Sequence, residues 1–149
     1  MTKEYIKGDV RYPIGDGIKI IPHICNDIGR WGRGFVLSLS EKWKLPEKIY
    51  RSESNYNLGD IKVIKVEDDI LIINMIAQHK LKSYNNKTPL DYYALECCLY
   101  KCQEYANKLN TKVSFHMPKI GAGLGGGDWI KIEKIINYTI KKDVYIYEI

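Results

Sequence analysis

No apolar run in this 149-residue chain approaches the roughly 20 residues that cross a bilayer. Its opening residues, Met1-Thr2-Lys3-Glu4-Tyr5, hold no long apolar segment of a secretory leader, so a cytoplasmic location without membrane association is expected. Repeats, low-complexity stretches and long linkers are also missing, which leaves a single domain over residues 1–149. Cysteine is sparse. Cys25, Cys97, Cys98 and Cys102 have no further Cys or His at zinc spacing, and in a reducing compartment they read as small buried thiols. Neither a metal nor a cofactor is therefore expected.

What is present has an ordinary balance. Hydrophobic residues make up 45% and charged residues 28% of the chain, as in a typical globular domain. The net charge is +5, but the lysines are scattered along the whole length. That distribution suits a solvated surface better than a nucleic-acid patch.

Hydrophobic periodicity predicts strands at 18–25, 61–66, 70–77, 113–117 and 144–149, with helices at 34–43, 90–109 and 129–141. Pro22 implies that the strand at 18–25 is an edge or carries a bulge, and Pro46 is expected to end the helix at 34–43. The segment at 70–77 is apolar almost throughout, as a central strand covered on both faces requires. In the last helix Ile132, Ile135, Ile136 and Thr139 form an inward stripe, and Asp128 is placed to cap the first turn. The C-terminal half thus reads β-α-β-α-β, which implies parallel strands joined by right-handed crossovers. The fold class that follows is α/β, a three-layer α/β/α sandwich with a mixed, largely parallel central sheet.

Ligands in such sheets lie at the carboxyl ends of the strands, and both glycine-rich loops fall there. The later loop is Pro118-Lys119-Ile120-Gly121-Ala122-Gly123-Leu124-Gly125-Gly126-Gly127-Asp128-Trp129. Its glycines let backbone N–H groups converge into a nest that the dipole of the following helix would back, a setting for phosphate. The earlier loop, from His23 to Phe35, places Asn26 at the strand end with donor and acceptor capacity for ribose hydroxyls. Gly29, Gly32 and Gly34 allow close approach there, and Arg30 or Arg33 can neutralise phosphate.

Sharper motifs fail. Gly121 to Gly126 spells G-x-G-x-x-G, but too little chain follows for a dinucleotide-binding half, and no Gly-Lys-Ser/Thr completes a P-loop. Cys25 and Arg30 are separated by one residue too few for a cysteine-dependent phosphatase.

Gly8-Asp9-Val10 after a short first strand, the loop from Asn26 to Gly34, and Gly121-Ala122-Gly123-Leu124 occur in that order. Together they resemble a macro domain, an ADP-ribose-binding module, over essentially the whole chain. Its small single-domain branch includes ADP-ribose 1''-phosphate phosphatases and glutamate-linked ADP-ribose hydrolases. The resemblance implies that Gly8, Asp9 and Val10 hold the adenine, with Asp9 reading its amino group and Tyr147 or Tyr145 stacking on it. It implies that Asn26, Trp31, Gly32, Arg33, Gly34, Phe35 and Gln78 surround the distal ribose and a phosphate. Ile120, Gly121, Ala122, Gly123, Leu124 and Gly125 would wrap the diphosphate.

For catalysis the resemblance is incomplete. The glutamate-linkage hydrolases use a lysine near the end of the central strand and an aspartate after Gly-x-Gly-Leu. Gln78 and Gly125 stand in those regions here. Asn26, His23 and Asp27 are the replacement candidates: His23 as an imidazole suited to proton transfer near neutrality, Asp27 to orient a water. His79 and His116 have weaker claims, the latter lying inside a strand. Three functions stay open. The first is hydrolysis of an ADP-ribosyl derivative, ADP-ribose 1''-phosphate or ADP-ribosylated protein, at the distal ribose. The second is an ADP-ribose reader without turnover, and the third a nucleic-acid-binding module.

Overall fold

The eight residues from Ile70 to Ala77 are all buried, which demands a cover on each face of the strand that holds them. In the computed structural model, which describes residues 2–149, four helices provide it. The elements run β1 (Lys3–Lys7), β2 (Ile18–Asn26), α1 (Phe35–Lys42), α2 (Leu45–Ser52), β3 (Ile61–Glu67), β4 (Ile70–Gln78), α3 (Tyr92–Asn107), β5 (Val113–Met117), α4 (Trp129–Thr139) and β6 (Asp143–Glu148). One six-stranded sheet has the order β1-β6-β5-β2-β4-β3. All neighbours are parallel except β3 and β4, which form a hairpin across Asp68-Asp69. The α/β/α sandwich with a mixed, mostly parallel sheet is therefore the observed fold.

Alternation along β4 divides the core. Leu71, Ile73 and Met75 pack with Leu95, Cys98, Ile132 and Ile136 of α3 and α4. Ile70 and Ile72 face the other way, with Leu39 of α1 and Trp43, while Ile76 joins Val36 and Tyr50 of α1 and α2. Cys25, Cys98 and Cys102 are buried in these clusters, and burial pushes each of their thiols up, that of Cys98 to about 12. Asp128 caps α4 by accepting from the Ile130 N–H. No helix among the described residues is long and apolar enough to cross a membrane.

Two expectations are corrected. Pro22 does not mark an edge, because β2 lies between β5 and β4; the strand does carry a bulge, but at Cys25–Asn26 and not at the proline. The ladder explains how proline is tolerated. Ile18 donates to Lys112 O on the β5 side and Lys19 to Asp69 O on the β4 side, so by alternation position 22 faces β5. The β2–β5 pairing has already stopped at Ile20–Phe115, whereas β2–β4 continues to Asn26. The missing N–H of Pro22 thus points where no strand remains to receive it. The second correction concerns Pro46, which opens a helix: α2 carries it in its first turn, where proline's lost donor costs nothing.

At the foot of β2, Lys19 is buried, with its Nζ 2.7 Å from Asp69 Oδ2 and within reach of the Gly15 and Gly17 carbonyls. Gly17 has φ +77°, and a Cβ there would stand 2.6 Å from Lys112 O. Gly17→Ala combines a left-handed backbone with that clash and should destabilise the fold by about 2 kcal/mol or more. Thermal melting should show a drop of about 4–8 °C. An unchanged melting temperature would show that this turn relaxes freely.

Candidate functional site: a cleft at the carboxyl ends of the strands

Because five strands run in one direction, Lys7, Asn26, Gln78, Met117 and Glu148 end on the same side of the sheet. The loops that follow these ends enclose three adjoining chambers of about 120, 320 and 100 Å³. The first and the central chamber share Phe35 and Pro118. The central and the third share Ile24, Arg33, Val36, Gln78 and Leu124. The cleft exists because β2 and β5 part after Ile20, which leaves His23 and Ile24 as its floor.

The first chamber is bounded by Gly8, Asp9, Val10, Phe35 and Tyr147. Tyr147 is fixed from below. Its hydroxyl accepts from the Ile14 N–H at 3.0 Å and lies 2.7 Å from His116 Nδ1, while His116 Nε2 meets Ser114 Oγ at 2.7 Å. Asp9 receives both Nε and Nη2 of Arg11, the latter at 2.6 Å, and these bonds outweigh its partial burial to hold the carboxyl below its ordinary value. It is charged at neutral pH.

The central chamber meets the start of α1. Its N-cap, Gly34, supplies no side-chain cap, and the first turn contains no acidic residue. The positive end of that helix is therefore free to face a ligand. Helix α4, which the sequence pattern had offered for this purpose, has its N-terminus occupied by Asp128. The uncapped helix start thus follows the earlier loop and not the later one, where an aspartate already caps α4.

The later loop is folded largely upon itself. Gly127 N donates to Gly121 O at 2.8 Å and Leu90 N to Gly125 O at 3.1 Å. A Cβ on Gly127 would stand 2.5 Å from Leu90 Cδ2, and one on Gly125 2.8 Å from Gly121 O. These glycines serve packing. By contrast, a Cβ on Gly123 or Gly32 would meet nothing within 4 Å, and both residues line the cleft. Those two positions leave space for a ligand.

Asn26 builds the earlier loop from within. Its Oδ1 accepts from Ile28 N at 3.1 Å and Arg30 N at 3.2 Å, its Nδ2 donates to Arg30 O at 2.6 Å, and the Tyr50 hydroxyl lies 2.7 Å from its main-chain oxygen. The third chamber then receives Arg30, Arg33 and Lys82. None of the three has an ion-pair partner among the described residues, and no carboxylate lines the central or third chamber. A separate cavity of about 270 Å³ behind α2 is different: its acids Glu53 and Asp60 are matched by Lys62 and Lys101. Of these cavities, the third chamber is the one whose cations have no acid in the wall beside them.

No family model matches the chain. It is 34% identical to a macrodomain protein from Streptomyces coelicolor, covers 99% of that chain, and superposes with a TM-score of 0.84. The chain belongs to the macrodomain family. A protein of unknown function from Bacteroides thetaiotaomicron is similar too, at 42% identity over 99% of its chain and a TM-score of 0.93. Among curated relatives, this macrodomain is 32% identical over 145 residues to the chromodomain-helicase-DNA-binding protein 1-like of Mus musculus, of whose length it spans only 16%. It is 28% identical to an ADP-ribose 1''-phosphate phosphatase of Candida albicans, over 90% of that protein.

The macrodomain brings most of the expected residues together. Gly8, Asp9, Val10, Asn26, Trp31, Gly32, Arg33, Gly34, Phe35, Gln78, Ile120, Gly121, Gly123, Leu124, Gly125 and Tyr147 all line one of the three chambers. Ala122 instead packs against the main core. Asp27 lies outside the chamber walls, with its Oδ2 2.7 Å from His79 Nδ1 and its Oδ1 accepting from Lys80 N at 2.8 Å. His23 lines the central chamber but is only 1% exposed. Its Nε2 lies 2.5 Å from Asn74 Oδ1, and Asn74 Nδ2 donates to Pro46 O, so Nε2 carries the proton. Burial lowers the pKa of this ring to about 4, so it is neutral at pH 7. Lys82, and Pro118 and Lys119 at the head of the later loop, also line the cleft, although none of them was expected as a contact residue. The first of these sits in an aperiodic loop that gives no directional signal.

Two buried histidines make a pH prediction. Desolvation brings both His23 and His116 to about 4, against an ordinary 6.5. The unfolded chain therefore takes up protons below pH 6.5 that the folded chain refuses until about pH 4. Stability should fall as pH drops through that window, by about 2 kcal/mol per histidine at pH 5. Urea unfolding at pH 7 and pH 5 should show the loss, and His116→Gln should remove about half of it. Equal pH dependence in the variant would mean that His116 is not held neutral.

Proposed function

We propose that this macrodomain binds ADP-ribose along the three chambers and hydrolyses an ADP-ribosyl derivative that carries a phosphate on its distal ribose. The observation that carries the reading is the third chamber, where Arg30, Arg33 and Lys82 converge without a carboxylate. A neutral ribose hydroxyl needs no such cluster, whereas a phosphate dianion does. Similarity to the Candida albicans ADP-ribose 1''-phosphate phosphatase supports the same substrate.

The other chambers fit the rest of the ligand. Adenine lies against Phe35 and Tyr147, with the ionised Asp9 accepting from its amino group. The diphosphate sits at the uncapped start of α1, opposite the open face of Gly123. Gln78, at the junction of the central and third chambers, donates its Nε2 to Lys80 O and keeps Oε1 to accept from a ribose hydroxyl. Buried thiols suit a reducing cytoplasm, where we place the protein. A second reading, a reader of ADP-ribose or of ADP-ribosylated protein without turnover, is favoured by the lack of any carboxylate on the walls of the central and third chambers.

Calorimetric titration with ADP-ribose, with ADP and AMP as controls, tests the binding step. Micromolar affinity that requires the distal ribose is expected. Gly123→Val should abolish that binding and leave the melting temperature unchanged, because the new side chain meets only ligand space. Heat from none of the nucleotides would sink both readings and turn attention to nucleic acids. Phosphate release from ADP-ribose 1''-phosphate then separates the hydrolase from the reader, with protein-linked ADP-ribose as the comparison substrate.

A further inference from the structure

We propose that His79, oriented by Asp27, is the base that activates water at the distal phosphate; this rests on the hydrolase reading given above. The pair is produced by the sheet itself. Strands β2 and β4 run parallel with Cys25 opposite Ile76, but a bulge then places Asn26 opposite Gln78. One residue of β4, Ala77, is skipped. The next pair across the two chains is therefore Asp27 and His79, with side chains on a common side. Without the bulge, Asp27 would oppose Gln78.

The backbone that carries the ring is held on both sides, and Asp27 holds the ring. His79 N donates to Pro89 O at 2.8 Å, and His79 O accepts from Asn86 Nδ2 at 2.8 Å. Asp27 is fixed equally well, since Lys80 N holds its other oxygen. Burial pushes the Asp27 carboxyl up, but the Lys80 N–H and the His79 ring outweigh it and keep it below the ordinary value. Lys80 adopts φ +58°, the one left-handed non-glycine backbone among the described residues, and a strain of this kind persists where the surroundings enforce it. Here the enforcing contacts are its N–H to Asp27 and its carbonyl to Gln78 Nε2.

The imidazole therefore carries its proton on Nδ1 and presents the Nε2 lone pair outward, with 55% of the side chain exposed. His79 is not in the wall of the third chamber but adjoins residues that are. Asn26 and Gln78, which precede the pair on the two strands, line that chamber, and so do Leu81 and Lys82, which follow His79. Asp27 is the only ion-pair partner of the ring among the described residues; Lys80 and Lys82 are its nearest charged neighbours along the chain. His23 cannot take this role, being sealed and committed to Asn74.

In the reaction, a water oxygen bonds to phosphorus while its proton passes to His79 Nε2. The bond between phosphorus and the ribose oxygen breaks with its electron pair on that oxygen, which takes a proton from solvent. Inorganic phosphate and ADP-ribose leave, and the imidazolium, stabilised by Asp27 in the interim, returns its proton to water. Arg30, Arg33 and Lys82 balance the phosphate charge throughout.

The test measures phosphate release from ADP-ribose 1''-phosphate across pH, with ADP-ribose binding by calorimetry in parallel. In His79→Ala, binding should stay within about twofold, and turnover should fall on the order of 100-fold. Added imidazole should restore part of the rate, and the acid limb of the wild-type pH profile should be absent without it. Asp27→Asn should lower turnover and shift that limb. A His79→Ala protein with wild-type turnover and an unchanged pH profile overturns the inference, as does a wild-type protein that binds ADP-ribose but releases no phosphate. Failure of the wild-type protein to bind ADP-ribose overturns the cleft assignment instead.

Discussion

The site depends on β2 losing one neighbour halfway along its length. Up to Ile20 the strand is paired on both sides, and beyond it only on the side of β4. A strand with both ladders intact would leave no room between β2 and β5. Once the β5 ladder stops, the two strands part and leave a cleft between their ends, floored by His23 and Ile24 of β2 itself. Pro22 sits at the parting point and cannot donate to a strand on that side. It thus acts as a local veto on closure, within a strand whose other edge is held by eight residue pairs.

The walls of the cleft divide their labour by charge and by space. Helix α1 presents an uncapped N-terminus, while α4 is capped by its own aspartate, so only one of two adjacent dipoles is available to an anion. Three cations line one end of the cleft with no acid in the wall beside them, whereas the cavity behind α2 pairs Glu53 with Lys62 and Asp60 with Lys101. Unmatched charge of one sign in a concave site is costly to the free protein and is relieved by a ligand of the opposite sign. Bulk composition, at +5 overall, gives no hint of that local imbalance.

Much of the layout was legible in the sequence, for physical reasons that can be named. Strand β5 and helix α4 follow apolar periodicity closely, and Asp128 caps where an N-cap is expected. Gly8, Asp9, Gly32, Gly34 and Gly123 reach the cleft because parallel strands deliver their following loops to one side. What escaped were relations between distant segments. The contact of Asp27 with His79 spans 52 residues and depends on a one-residue bulge that no local pattern encodes. Helix α2 was missed because Pro46 reads as a stop signal when it is in fact a start. The glycines of the later loop were legible as glycines but not by purpose, since only packing separates Gly127, closed off by Leu90, from Gly123, open to the cleft.

That packing has a mechanical side. The later glycine loop is tied to the segment after β4 by the bond from Leu90 to Gly125, and it has no space to collapse inward because Gly121, Gly125 and Gly127 already touch backbone or core. Asn26 and Tyr50 brace the earlier loop in the same way from the opposite wall. A receptor whose two jaws are both propped open in advance loses little conformational freedom when it is filled. Its affinity is then limited by the fit of the occupant, and its selectivity is that of a rigid gauge, which accepts what matches its length and rejects by shape what does not.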